Sequence, residues 1–373
     1  MRKRSSVEKQ HNRMFMRAIS KRIALRCLCL SLILGMGLAL TGCMEQGVGG
    51  NLTGAGLEAL EKNDYATALS DFTQAVQNGE DPVPAYRGEG IALMGLARYE
   101  EAADAFAKAL EETDDRMPKT VRDISLYRLS ALFRAGKYNE VISACEEMPG
   151  GEELTEACFY RGAAYLQTDQ NEEARKWFDK AVATAPGDYN LYLRIYEQYE
   201  SKNLTAIGDE YLQQALRLQP ETNEDRYHIG RIRFYLEKYD DARAALMEPV
   251  EAKYLPALEL MGEIYMAQGD YDHARASYQA VMQEEGESAA MYNGLAMCAI
   301  AAGEYDEALS YIETGLALEG DEGEQQLLFN EIVAWEGKLD FAKALEKAEA
   351  YHALYPTDEL GTKELQFLNT RGK

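Results

Sequence analysis

One short phrase, a Tyr followed by two variable residues and a small one, returns along this 373-residue chain. It reads Tyr65-Ala66-Thr67-Ala68, Tyr99-Glu100-Glu101-Ala102, Tyr239-Asp240-Asp241-Ala242, Tyr271-Asp272-His273-Ala274, Tyr305-Asp306-Glu307-Ala308 and, weaker, Tyr138-Asn139-Glu140-Val141. Aligning Ala174, Gly208 and Ala344 to its last position places that position at 68, 102, 141, 174, 208, 242, 274, 308 and 344, in steps of 34, 39, 33, 34, 34, 32, 34 and 36 residues. A period this close to 34 implies a stack of like supersecondary units, none of which buries its apolar face without a neighbour. Stacks of this kind present long binding surfaces, and binding rather than catalysis is the first expectation.

The seventh unit shows the plan of one repeat. Leu258, Met261, Gly262 and Tyr265 fall at the i, i+3, i+4, i+7 spacing of one helix face. Gln268-Gly269-Asp270 breaks that helix, and Asp270 and Asp272 then stand at the start of a second, where the macrodipole favours negative charge. Ala274, Tyr278 and Val281 form the inner stripe of that second helix.

This pattern resembles the tetratricopeptide repeat. Unit four carries Arg161-Gly162, Tyr165, Ala174, Phe178, Ala181 and Pro186; unit two carries Tyr86, Gly90, Leu93, Ala102, Phe106 and Ala109; unit one carries Gly56, Ala68, Phe72 and Ala75. The resemblance implies an all-α fold, a superhelical α-α solenoid of about nine helix-turn-helix repeats over residues 52–356, with a C-terminal capping helix and tail over 357–373. Gly or Ala is needed where paired helices approach closely, since a larger side chain would force the axes apart. The resemblance also implies that the aromatic opening each second helix wedges the two helices of its repeat together. Unit three departs, with Leu129 and Val141 at the small positions and Met148-Pro149-Gly150-Gly151 ending its second helix early, which predicts a bend or joint. Unit five places Tyr196 and Gly208 where Gly and Ala belong, so large and small partners exchange across that helix pair. Unit nine, with Ile332, Trp335 and Ala344, is the least regular.

The N-terminus supplies a cell address. Residues 2 to 22 carry Arg2, Lys3, Arg4, Lys9, Arg13, Arg17, Lys21 and Arg22, followed by an apolar run from Ile23 to Leu40. Together these read as the charged and apolar regions of a secretory signal over 1–42, with Met14 or Met16 as alternative starts. The run ends in Leu40-Thr41-Gly42-Cys43, which resembles the bacterial lipobox. The resemblance implies cleavage after Gly42, a lipid on Cys43, and a protein anchored at the extracytoplasmic face of a cell membrane. A plain transmembrane anchor is the competing reading. Residues 43–51, with Gly47-Val48-Gly49-Gly50, read as a short flexible tether.

The first 42 residues hold nine Lys or Arg against one Glu, a surplus of eight positive charges, so the formal charge deepens from −24 for the whole chain to −32 beyond them. Nucleic-acid phosphates reward clustered cations, so this balance excludes them and favours neutral or basic partners.

Little points to chemistry. Beyond Cys43 the cysteines are Cys145, Cys158 and Cys298, an odd trio among apolar residues; they read as buried thiols, with a Cys145–Cys158 bridge as the alternative. His228, His273 and His352 lie in different repeats without a ligand-spaced partner. Gly88-Glu89-Gly90 lies within a helical segment rather than a phosphate-binding loop. No cofactor, metal or enzymatic activity is expected.

In tetratricopeptide proteins the first helices line the concave surface. The corresponding positions here are Arg87 and Ile91, Leu126 and Ser130, Phe159 and Ala163, Leu193 and Glu197, Tyr227 and Arg231, Glu259 and Glu263, then Asn293 and Met297. Arg226, Tyr227, His228, Arg231, Arg233, Phe234 and Tyr235 gather cations and aromatics on one helix, next to Arg194 of the preceding repeat. Two readings stand: Arg194, Tyr227, Arg231 and Tyr235 form a partner-binding groove, or these cations pair with neighbouring carboxylates. The function that follows is a non-catalytic, membrane-anchored scaffold holding a protein or peptide in its groove. An envelope, pilus or secretion assembly factor, and a lipoprotein binding a peptide or glycan for a transporter, are the alternatives.

Overall fold

The computed structural model describes residues 51–114, 116–148, 150–318 and 323–371. The signal segment, Gly42 and Cys43 lie outside the described residues, as does the apolar run that precedes them. The described residues form nineteen α-helices and no strand, in two compact units, 51–218 and 219–371. Among the described residues no helix is long and apolar enough to cross a membrane.

The first unit holds α1 (Leu52–Glu61), α2 (Tyr65–Gln77), α3 (Pro82–Gly95), α4 (Tyr99–Glu111), α5 (Pro118–Arg134), α6 (Tyr138–Glu147), α7 (Thr155–Gln167), α8 (Asn171–Thr184), α9 (Tyr189–Ser201) and α10 (Thr205–Ala215). A short 3₁₀ turn, Gly151–Glu153, precedes α7. The second unit holds α11 (Asn223–Tyr235), α12 (Tyr239–Glu251), α13 (Leu255–Gln268), α14 (Tyr271–Glu285), α15 (Ala289–Ala302), α16 (Tyr305–Leu316), α17 (Glu324–Gly337), α18 (Phe341–Leu354) and α19 (Glu359–Asn369). Within each unit consecutive helices pack together, and first helices also meet first helices: α1 with α3, α3 with α5, α5 with α7, α7 with α9, and in the second unit α11 with α13 and α15 with α17.

Each helix pair turns on the same device. Two residues before every second helix the backbone enters the left-handed region, at Asn63, Ala97, Gly136, Asp169, Asn203, Glu237, Gly269, Gly303 and Leu339. The next N–H then bonds back five residues into the first helix, as Asp64 N–H does to Ala59 O at 2.9 Å and Asp340 N–H to Trp335 O at 3.1 Å. That bond is the longer arm of a Schellman cap and satisfies a carbonyl the helix end would otherwise strand. Asp64, Asp270 and Asp340 then cap the second helices by accepting from Thr67, His273 and Lys343 N–H.

The small positions sit where the helices touch. A Cβ on Gly56 or Gly88 would fall within 3 Å of the Phe72 ring, and one on Gly90 would meet Phe106 at 2.5 Å. Gly162 faces Phe178 and Gly262 faces Tyr278 in the same way. In unit five the exchange is real: the Tyr196 ring reaches from α9 to Gly208 on α10. In unit three α6 is ten residues long, and Gly150 stands at φ +67° before the 3₁₀ turn. Leu129 and Val141 are both fully buried.

The opening aromatics meet the expectation only in part. Tyr65 packs on Gly95 and Tyr305 on Gly337, and Tyr99 lies under the Arg134 guanidinium at 5.7 Å. These partners belong to the first helix of the following repeat, so these three aromatics join repeats. Tyr138 and Tyr239 pack as expected on the first helix of their own repeat, against Phe133 and Phe234. The physical reason is position: the side chain at the start of a second helix points toward the end of both adjoining first helices, and a Gly there leaves room for a ring.

Candidate functional site: the face of the first helices

In the unit 51–218 the charged residues of this face tie one repeat to another. Arg87 on α3 donates to Asp123 on α5 at 2.7 Å and lies over the Tyr127 ring at 5.2 Å. Arg194 on α9 donates both terminal nitrogens to Glu156 on α7, at 2.6 and 2.8 Å, and its guanidinium stacks 3.9 Å from the Phe159 ring. Arg194 is buried, so this forked, charge-assisted bond forms where water screens it least. Its guanidinium is thereby engaged inside the fold, as a strut between α7 and α9.

The remaining candidates lie in the unit 219–371, all on α11. Thr222 and Asp225 start this helix with a reciprocal capping box. Tyr227 is half-buried and meets Tyr254 edge to face at 5.6 Å. Arg231 is buried one turn further on, with its guanidinium 5.8 Å from the Tyr227 ring. Tyr235 stands at the C-terminal end of α11 beside Phe234. The structure therefore brings Tyr227 and Arg231 together, sets Tyr235 two turns along the same helix, and places Arg194 in the other unit. Arg226 pairs with Glu248 at 2.8 Å, so part of the cationic content of α11 is matched by carboxylates. His228 is neutral at physiological pH, because burial and then Arg231 push its imidazole down to about 4.

The next first helix, α13, adds Glu259 and Glu263. Burial, then Glu259, pushes the Glu263 carboxyl up to about 7, with Arg231 acting against them. Burial and Glu285 raise Glu259 as well. The Tyr227 hydroxyl is pushed up to about 12 by burial, with Arg231 opposing and Glu263 and Glu259 adding to the rise, so it stays protonated and able to donate. Further on, Asn330 of α17 donates to Asn293 of α15 at 2.7 Å, both buried. Asn330 was not among the positions read from the sequence, and the repeat register does not find it: the step between these units is 36 residues, which aligns Asn293 with Phe329, and Asn330 stands one position further on.

Chemical function elsewhere is sparse. Cys145, Cys158 and Cys298 are free, buried thiols, and burial pushes Cys145 and Cys298 up to about 12. Among the described residues no three His, Cys, Asp or Glu side chains are placed to hold a metal ion.

Family models described as tetratricopeptide repeat match residues 53–116, 155–188 and 265–328. The chain therefore carries tetratricopeptide repeats, in an all-helical fold of paired helices. Among curated proteins it is similar to the BBSome complex member BBS4 homolog of Drosophila melanogaster, at 23% identity over 65% of this chain and 45% of that one. It is also similar to Hsp70-Hsp90 organizing protein 3 of Arabidopsis thaliana, at 23% identity over 53% of this chain and 35% of that one. The chain thus spans less than half the length of these relatives. A solved tetratricopeptide repeat protein from Parabacteroides merdae shares 13% identity, covering 77% of this chain and 98% of that one at a TM-score of 0.48.

Proposed function

We propose that this protein is a non-catalytic interaction scaffold, held by a lipid on Cys43 at the extracytoplasmic face of a bacterial membrane, which takes a protein or peptide partner on the face of its first helices. The observation that carries the scaffold is the tetratricopeptide match at three separate stretches of the chain, joined to a first-helix face on which Tyr227, Glu259 and Glu263 stand half-buried rather than sealed in a core. The relatives, a member of a complex and an organizing protein for two chaperones, support the same class of activity. The anchor rests on the sequence Leu40-Thr41-Gly42-Cys43 after a cationic and apolar leader. Two acyl chains hold a protein stably at a bilayer where one does not, which is why lipidation at a new N-terminal Cys suffices without a spanning helix.

Two measurements test this reading. Mass spectrometry of the native protein should find a lipid-modified peptide beginning at Cys43, and Cys43→Ala should abolish both the modification and cleavage after Gly42; an unmodified, uncleaved native chain rejects the anchor. Capture of cross-linked partners from the native envelope should weaken in the double variant Tyr227→Ala with Arg231→Ala at unchanged helical content; undiminished capture places the partner elsewhere.

A further inference from the structure

Along the first-helix face polar side chains are matched between repeats: Arg87 with Asp123, Arg194 with Glu156, Asn330 with Asn293. Glu259 and Glu263 break that rule. They stand one turn apart on α13, half-buried, and neither has a hydrogen-bond or ion-pair partner among the described residues. Like charges at this spacing repel, and each carboxylate has also lost part of its hydration, so the arrangement works against the isolated fold. The raised carboxyl of Glu263 reports the same imbalance, which the nearby Arg231 reduces without removing. Beside the pair stands an aromatic wall: α11 packs on α13, where Tyr227 and Tyr254 meet edge to face at 5.6 Å and join the apolar cluster of Ala257, Leu260 and Ile264 on the carboxylates' own helix.

Two unmatched carboxylates against a tyrosine face form the set of groups that receives an ammonium or guanidinium, by charge-assisted hydrogen bonds on one side and a cation–π contact on the other. The charge of the chain beyond residue 42, −32, draws cationic partners toward it. We propose that this stretch of α11 and α13 is a docking surface for a basic peptide segment, with a Lys or Arg side chain held by Glu259 and Glu263 against the Tyr227 ring. The proposal rests on the scaffold reading and narrows it to one partner chemistry.

The test uses the full chain and two synthetic probes, a Gly/Ser-rich peptide carrying arginines and the same peptide with citrulline in their place. Binding is followed by fluorescence anisotropy at physiological salt. The native chain should favour the arginine peptide by about tenfold or more. The double variant Glu259→Gln with Glu263→Gln should lose that preference without loss of thermal stability. A charge control, Glu111→Gln with Glu112→Gln on the exposed end of α4, should retain it. No preference in the native chain overturns the proposal, as does an equal loss in the charge control, which would assign the effect to the overall field. The scaffold reading fails by a different result, absence of any captured partner for the native chain in its envelope, and the peptide measurement decides the docking proposal whichever way that capture falls.

Discussion

The Tyr196 ring lies 2.9 Å from where a Cβ on Gly208 would stand, and the Tyr196 backbone is only 3.3 Å from that point. A flexible ring can tilt away, but the backbone of α9 cannot do so without shifting the helix pair. Gly208→Ala should therefore destabilise by about 1–2 kcal/mol, overpacking outweighing the helix propensity that Ala brings. Gly187→Ala, where nothing lies within 4 Å, is the control and should be neutral or slightly stabilising in the same thermal melts.

The nine left-handed turn residues predict the opposite sign. Leu339 has φ +65° and is 70% exposed, so its side chain gains little from packing while its backbone bears the strain of that region. Leu339→Gly should raise stability by about 0.5–1 kcal/mol, the usual advantage of Gly at positive φ less its greater chain entropy. Gly303→Ala, at φ +85°, should lower it by a similar amount. Thermal melts of both variants check the pair of signs.

Glu263 gives a pH dependence. Its carboxyl lies at about 7 in the fold against an ordinary value of 4.5, so the folded state holds the proton more tightly than the unfolded chain. That contribution is fully present below about 4.5 and is lost as pH rises through about 7. Glu263→Gln stays neutral throughout, so its advantage over the native chain should be small at pH 5 and on the order of 2 kcal/mol at pH 8. Denaturant midpoints for the two chains at the two pH values measure it.

Arg194 should behave as a strut. Arg194→Ala leaves Glu156 without its forked partner and should cost about 2–4 kcal/mol, whereas Arg194→Leu with Glu156→Leu should recover most of the loss. Partner capture by the double variant should match that of the native chain. A loss of capture in a stable double variant would move Arg194 onto the binding surface.

The repeat period and the size pattern made the fold legible, because steric fit between adjacent helices is written in which residue is small and which is large. That is why the exchange of Tyr196 and Gly208 is legible in the sequence itself. The turns were less legible: Gly136, Gly269 and Gly303, and less strongly Asn63, Asp169 and Asn203, announce the left-handed conformation, while Ala97, Glu237 and Leu339 adopt it under the Schellman bond. The site was legible only in part. The first-helix positions named Tyr227, Arg231, Glu259 and Glu263, but which charges are matched depends on pairs such as Arg194 and Glu156, 38 residues apart, whose meeting is set by packing between repeats. The opening tyrosines were legible only in part for the same reason: Tyr138 and Tyr239 wedge their own repeat while Tyr65 and Tyr305 join the next, since a residue at the start of a helix serves whichever neighbour leaves space.

The most direct test of the scaffold is photo-crosslinking in cells that make the native chain, with a photoreactive residue placed in turn at Tyr227 and Glu259 on first helices and at Met247, 57% exposed, on the second helix α12. The account predicts a discrete crosslinked protein from Tyr227 and Glu259 and none from Met247. Equal crosslinking from Met247, or none from the first helices, would contradict it.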